Sequence, residues 1–191
     1  MFFPRSLAYS CGLTLALLAC AAPPVVSPAA RLPTYGAEDA ALLDDGFSGH
    51  LFETAFVTGV AGDDSHFDAR VRAAESIWLL KVATVSREGS VDASRRYGLV
   101  FRPLENLVGP PPASSVSLTI SAKDPSFHWL DRVGGAWVGH EVLLMVRSYR
   151  SGESITRHFH GEPNTPELRA KISAIRAAAS HAERAAPPAK K

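Results

Sequence analysis

The sequence predicts an α+β fold, mainly β: a five-stranded small barrel or curled antiparallel sheet, with a flanking helix before it and a C-terminal helix after it. Three observations predict this. Runs of apolar or alternating residues recur between residues 77 and 160, separated by glycine, proline and polar stretches. Helical spacing takes over only at the two ends of that region. The body beyond Cys20 contains no cysteine, so neither a disulfide nor a cysteine-based metal site holds it, and an apolar core must.

The first helix is predicted from about His66 to Ser76. Asp63-Asp64-Ser65 can accept hydrogen bonds from unpaired amides at its start. Phe67, Val71 and Ala74 then share one side. Ile77 to Val85 is apolar on both faces and rich in β-branched residues, the pattern of a central strand. Tyr97 to Phe101 reads as a second strand, and Gly109-Pro110-Pro111-Pro112 is a hard stop. Val116, Leu118 and Ile120 alternate with Ser117, Thr119 and Ser121, giving a half-buried third strand. Val142 to Val146 makes a buried fourth, and Ser154 to His160 a weaker fifth after the turn at Gly152. In the last element Thr165 caps, Pro166 suits the first turn, and Glu167 meets the positive end of the helix dipole. Leu168, Ile172, Ile175 and Ala179 form its apolar stripe. Five strands with helices at the edges favour the OB type of curled sheet.

The resulting organisation is a signal peptide at 1–19, a lipidated cysteine and proline-rich tether at 20–34, and an irregular segment at 35–65. An OB-like β domain follows at 66–162, then the C-terminal helix at 163–184 and a disordered tail at 185–191. Within 35–65, Glu38 to Leu43 is compatible with a helical turn, while Gly46, Gly49 and Gly59 interrupt anything longer.

The leader carries Arg5, then a mainly apolar stretch from Leu7 to Ala19, then small residues, the three-part plan of a secretory signal. The run is shorter than the ~20 residues of a membrane span. Leu17-Leu18-Ala19-Cys20 resembles the lipobox of bacterial lipoproteins. That resemblance implies cleavage before Cys20, acylation of its thiol and new amino group, and a lipid anchor in the membrane. Ala21 in the next position implies the periplasmic face of the outer membrane. The alternative is cleavage after Ala21, with Ala19-Cys20-Ala21 as the site, releasing a soluble periplasmic protein. Four prolines between Pro23 and Pro33 favour an extended spacer.

The run Ala74 to Val82, then Tyr97 to Phe101, Leu104 to Gly109 and Val138 to Leu144, resembles the bacterial relatives of the netrin/TIMP-type OB domains. The likeness covers about Ala74 to His160 and implies an OB barrel used for protein contact. The chain departs from that family in lacking its stapling cysteines, and in having Glu105-Asn106-Leu107-Val108-Gly109 where a Lys-Gly pair is usual. The lack of those cysteines argues against a metal-chelating N-terminal cysteine role like that of the metalloproteinase inhibitors.

The 20 Lys and Arg nearly balance the 19 Asp and Glu, leaving a net charge of +1. A dedicated nucleic-acid binder carries a basic surplus instead, so no nucleic-acid partner is expected. No cofactor motif is present: Gly134-Gly135 lacks the lysine and spacing of a phosphate loop. Gly46-Phe47-Ser48-Gly49-His50 misses the spacing of a nucleophile elbow, and Asp44-Asp45 and Asp63-Asp64 stand where a turn or helix cap wants them.

Two groups are candidate sites. His158 and His160 project from one strand face about 7 Å apart, a spacing suited to two metal ligands with Glu162 as a third. The competing reading is the exposed polar face of an edge strand with Phe159 packed inward. Phe127, Trp129 and Trp137 cluster between the third and fourth strands, either as a partner-contact surface or as a plug for one end of the barrel. Protein contact in an inhibitor, immunity or assembly role, with no enzymatic activity, is the leading expectation. A metal-binding periplasmic protein using His158 and His160, and a small-ligand carrier, are the alternatives.

Overall fold

The structure is a computed structural model that describes residues 31–56, 65–89 and 95–185. The signal peptide, Cys20, most of the tether, Asp63-Asp64 and the tail beyond Ala185 lie outside the described residues.

The elements follow in the order α1 (Ala37–Leu42), β1 (Gly46–Phe47), α2 (Gly49–Phe56), α3 (Phe67–Ala73), β2 (Ser76–Glu88), β3 (Arg96–Val108), β4 (Val116–Ser121), α4 (Phe127–Val133), a 3-10 turn (Gly134–Trp137), β5 (Glu141–Ser151), β6 (Ser154–Pro163) and α5 (Pro166–Ala185). One mixed sheet runs in the order β1-β6-β5-β2-β3-β4. All its pairings are antiparallel except β1 with β6, which is parallel.

The fold is therefore the expected α+β curled sheet with flanking helices, enlarged by one strand. The sixth strand, β1, lies in the segment read as irregular, because two residues carry no period to read. β3 also runs seven residues beyond the expected Phe101. It carries Pro103 past Leu80 at a shift in register, the setting in which a proline fits a strand. The first helix stops at Ala73, since Ser76 already pairs with Val146 in the sheet. The C-terminal helix starts as expected, with the Leu168 amide donating to Thr165 Oγ1 at 3.2 Å.

The curl is measurable. Phe47 on β1 and Phe101 on β3 are separated by three intervening strands, yet their ring centroids are 6.3 Å apart. In a flat sheet four strand spacings would put them about 19 Å apart. Leu80, Val82, Leu99, Ile120, Val142, Leu144 and Phe159 fill the inner face between them. Leu51 and Phe52 from α2, Leu130 from α4 and Trp137 from the 3-10 turn close one end of this half-barrel. The outer face carries Ile77, Leu79, Leu143, Met145 and Tyr149 against Leu43, against Phe67 and Val71 of α3, and against Ile172 of α5. Each fully buried apolar side chain contributes about 1.5–3 kcal/mol, so both faces hold the sheet.

Candidate functional site

Strand period places Thr156, His158, His160 and Glu162 on the outer face of β6, while Arg157 and Phe159 point inward. Phe159 is indeed buried in the inner core, but β6 is not an edge strand, since β1 pairs with its far side, and the face carrying His160 is buried rather than exposed. The two histidines share a face, as their spacing requires, but both meet carboxylates from the loop before β1. His158 Nδ1 lies 2.7 Å from Asp45 Oδ2, and His160 Nδ1 lies 2.7 Å from Asp44 Oδ1. A carboxylate accepts, so Nδ1 carries the proton in each ring. Asp45 also accepts the Phe159 amide at 3.1 Å and sits at a positive φ of 55°. Asp44 accepts the Gly46 amide at 3.1 Å. The aspartate doublet is thus a clamp that fits β1 onto β6.

Glu162, the expected third ligand, faces His160 Nε2 at 3.3 Å and the guanidinium of Arg70 at 3.3 Å. The His160 contact is an ion-pair approach without hydrogen-bond alignment, because Nε2 has no aligned acceptor. Arg70 also donates from Nε to the Leu42 carbonyl at 2.7 Å. His160 and Glu162 are each 3% exposed. Tyr35 stacks flat on His158 at 3.6 Å between centroids, and the Tyr149 hydroxyl donates to Asp39 at 2.8 Å. Among the described residues no group of three or more His, Cys, Asp and Glu side chains is placed to hold a metal ion. His50 lies on α2, His66 before α3, His128 on α4 and His140 before β5.

Burial alone would lower the pKa of His160, but the bond to Asp44 and the approach of Glu162 outweigh it and raise the value above 6.5. Burial pushes Asp44 up; the His160 bond and charge reverse that and hold it below 3.8. For Asp45 burial wins over the His158 bond, and its value is raised. Tyr35 is pushed up to about 12 by burial and by the neighbouring aspartates.

The aromatic group divides. Trp137 is fully enclosed, in contact with Phe47, Phe52 and Phe101, and offers nothing to a partner. The plug reading is the one that describes it, as expected for the largest apolar side chain. Phe127 packs on Tyr97, and Trp129 stacks on Phe52 at 5.8 Å; both are half-buried flanks of the same plug.

The opposite end of the half-barrel is open. A groove of 480 Å³ lies there, floored by Trp78, Leu144, Val146 and Phe159, with Val116 and Leu118 of β4 along one side. Pro110, Pro111 and Pro112 form its end wall, and Arg157 and Glu75 stand at its rim. The wall is fixed: the Trp78 indole donates to the Pro110 carbonyl at 2.9 Å, and Gly109 turns at φ 71° where a Cβ would lie 2.1 Å from the Glu75 carbonyl oxygen. The sequence marked the proline stop and the alternation of β4, but no local signal says that they meet β5 and β6 across a cavity.

These features define a class of protein: an α+β half-barrel with one plugged and one open end. No protein-family model matches the chain, and neither a curated protein nor a solved structure does. No described helix is long and apolar enough to cross a membrane.

Proposed function

We propose that the chain is a non-enzymatic contact module of the bacterial envelope, exported, anchored by a lipid on Cys20, and holding a protein partner at the open end of its half-barrel. The observation that carries the contact site is the groove itself. Its floor is apolar, its wall is braced by Trp78, and the plug residues are spent at the other end. The outer-face histidines are engaged with carboxylates and point away from it, which supports binding rather than catalysis there. The leader and Cys20 support the address.

A photo-crosslinking residue at Leu118, in the groove, and another at Ser173, on α5, test the contact site in living cells. Partner adducts at Leu118 that are absent at Ser173 support it; adducts only at Ser173 sink it. Metabolic labelling with a fatty acid tests the anchor, which requires incorporation into the parent protein and none into Cys20→Ser. The groove volume also falls within the roughly 300–1,000 Å³ of small-molecule sites. A small-ligand carrier is therefore the second reading, and native mass spectrometry of the purified protein distinguishes it by a bound low-mass species.

A further inference from the structure

Resting on the contact-module reading above, we infer that the partner is met as an extended peptide strand that pairs with the free edge of β4 and sets an acidic side chain against Arg157. β4 ends the sheet, with β3 on one side and, among the described residues, no strand on the other. Its pairing with β3 runs from Phe101↔Val116 to Arg96↔Ser121 without a shift. The Ser121 amide is taken by the Asp124 carboxylate, and the Ser121 carbonyl accepts the Asp124 amide at 3.0 Å. The backbone of Ser121 therefore faces away from β3, and antiparallel alternation turns that of Ser117 and Thr119 the same way. Asp124 covers the end of the edge. No described strand lies on the side to which the amides and carbonyls of Ser117 and Thr119 turn.

Natural sheets protect such edges with charge, proline or a bulge. Val116-Ser117-Leu118-Thr119-Ile120-Ser121 has none of these. An edge left open beside an apolar groove is the arrangement used for strand addition, in which main-chain bonds give affinity and the pocket takes alternate side chains. The side chains of Val116 and Leu118 already line the groove, so an added strand would place its own inward residues over Trp78 and Phe159.

Charge completes the description of the ligand. Arg157 is exposed at the rim and makes no ion pair or ring contact among the described residues, whereas Arg147 lies over Tyr149 and Arg169 holds Glu105. The carboxylate at the same rim, Glu75, is engaged by the Ser148 amide at 3.1 Å. A carboxylate on the incoming strand is what Arg157 lacks. A second copy of this chain fits less well. A six-residue edge about 20 Å long and one strand spacing, about 5 Å, wide offers on the order of 100 Å², far short of the roughly 800 Å² per partner of a stable dimer, and it leaves the groove and Arg157 unfilled.

The experiment uses the full chain, isotopically labelled, with three eight-residue peptides of alternating threonine and valine that carry one central Glu, Gln or Lys. The Glu peptide is expected to slow hydrogen exchange at the Ser117 and Thr119 amides and to bind about tenfold tighter than the Lys peptide. Arg157→Glu should invert that order. Protection elsewhere only, or Glu and Lys peptides bound equally, overturns the inference. So does sedimentation showing a dimer that protects the same amides without peptide. Crosslinks at Leu118 with no peptide protection remove strand addition and leave the contact module standing; loss of the Leu118 crosslinks as well removes both.

Discussion

His160 on β6 donates from Nδ1 to Asp44 across 2.7 Å, although the two residues are 116 positions apart in the chain. Beside it His158 repeats the arrangement with Asp45, 113 positions away. Two histidines on one strand face thus hold two adjacent aspartates, and with them the short parallel strand β1 whose Phe47 enters the inner core.

This clamp makes stability depend on pH in a direction that can be worked out. His160, faced by Asp44, Glu162 and Arg70, has a folded pKa above 6.5. Its contribution is complete below 6.5 and is lost as pH rises through the raised value. Asp44, held below 3.8, contributes above that point and loses its contribution as pH falls through the depressed value. Asp45, raised by burial, favours folding at low pH and loses that contribution as pH rises through its raised value. Thermal melts should show the transition temperature falling from mildly acidic to alkaline solution. His160→Gln should flatten that limb, and an unchanged slope in the variant would remove the histidine from the account.

Two arginines of similar appearance should differ in worth. Arg70 and Glu162 pair with side chains only 8% and 4% exposed, so removing the guanidinium leaves a buried carboxylate with only the poorly aligned His160 Nε2 beside it. Arg70→Ala should cost about 3–5 kcal/mol. Arg169 and Glu105 pair at 2.6 Å, yet they are 37% and 46% exposed. Arg169→Ala should cost less than about 1 kcal/mol. Urea denaturation of both variants measures the contrast, and equal losses would contradict it.

Gly161 is a third sensitive position. A Cβ there would stand 2.2 Å from Phe47 Cδ1, a ring already wedged among Phe52, Phe101, Trp137 and Phe159. Gly161→Ala should destabilise by about 1–3 kcal/mol through overpacking. Adding Phe47→Leu should recover part of that loss; strictly additive losses would show that the ring is not the obstacle.

The parts of this fold that could be read from the sequence are those whose signal is local. β2 and β5 announce themselves as uninterrupted apolar runs, β4 as an alternation, and α5 through Thr165, Pro166 and the Leu168–Ile175 stripe. The alternation within β6 correctly placed His158 and His160 on one side and Phe159 on the other. What the sequence hid is long-range. Asp44-Asp45 looked like turn residues because their partners lie more than a hundred positions away. β1 was too short for any period, and Pro103 masked the second half of β3. The groove follows from the curl of the sheet, which brings β4 near β5 and β6; no window of neighbouring residues encodes it.

The parallel pairing of β1 with β6 also orders events in time. A growing polypeptide displays Asp44, Asp45 and Phe47 long before His158 and His160 exist to receive them. Closing so large a loop is slow and entropically unfavourable. That early-made segment therefore waits, its Phe47 and its carboxylates uncompensated, for β6. That interval is when a holding chaperone would matter most, and a stop codon placed before β6 would strip the head of the protein of its anchorage along with the tail.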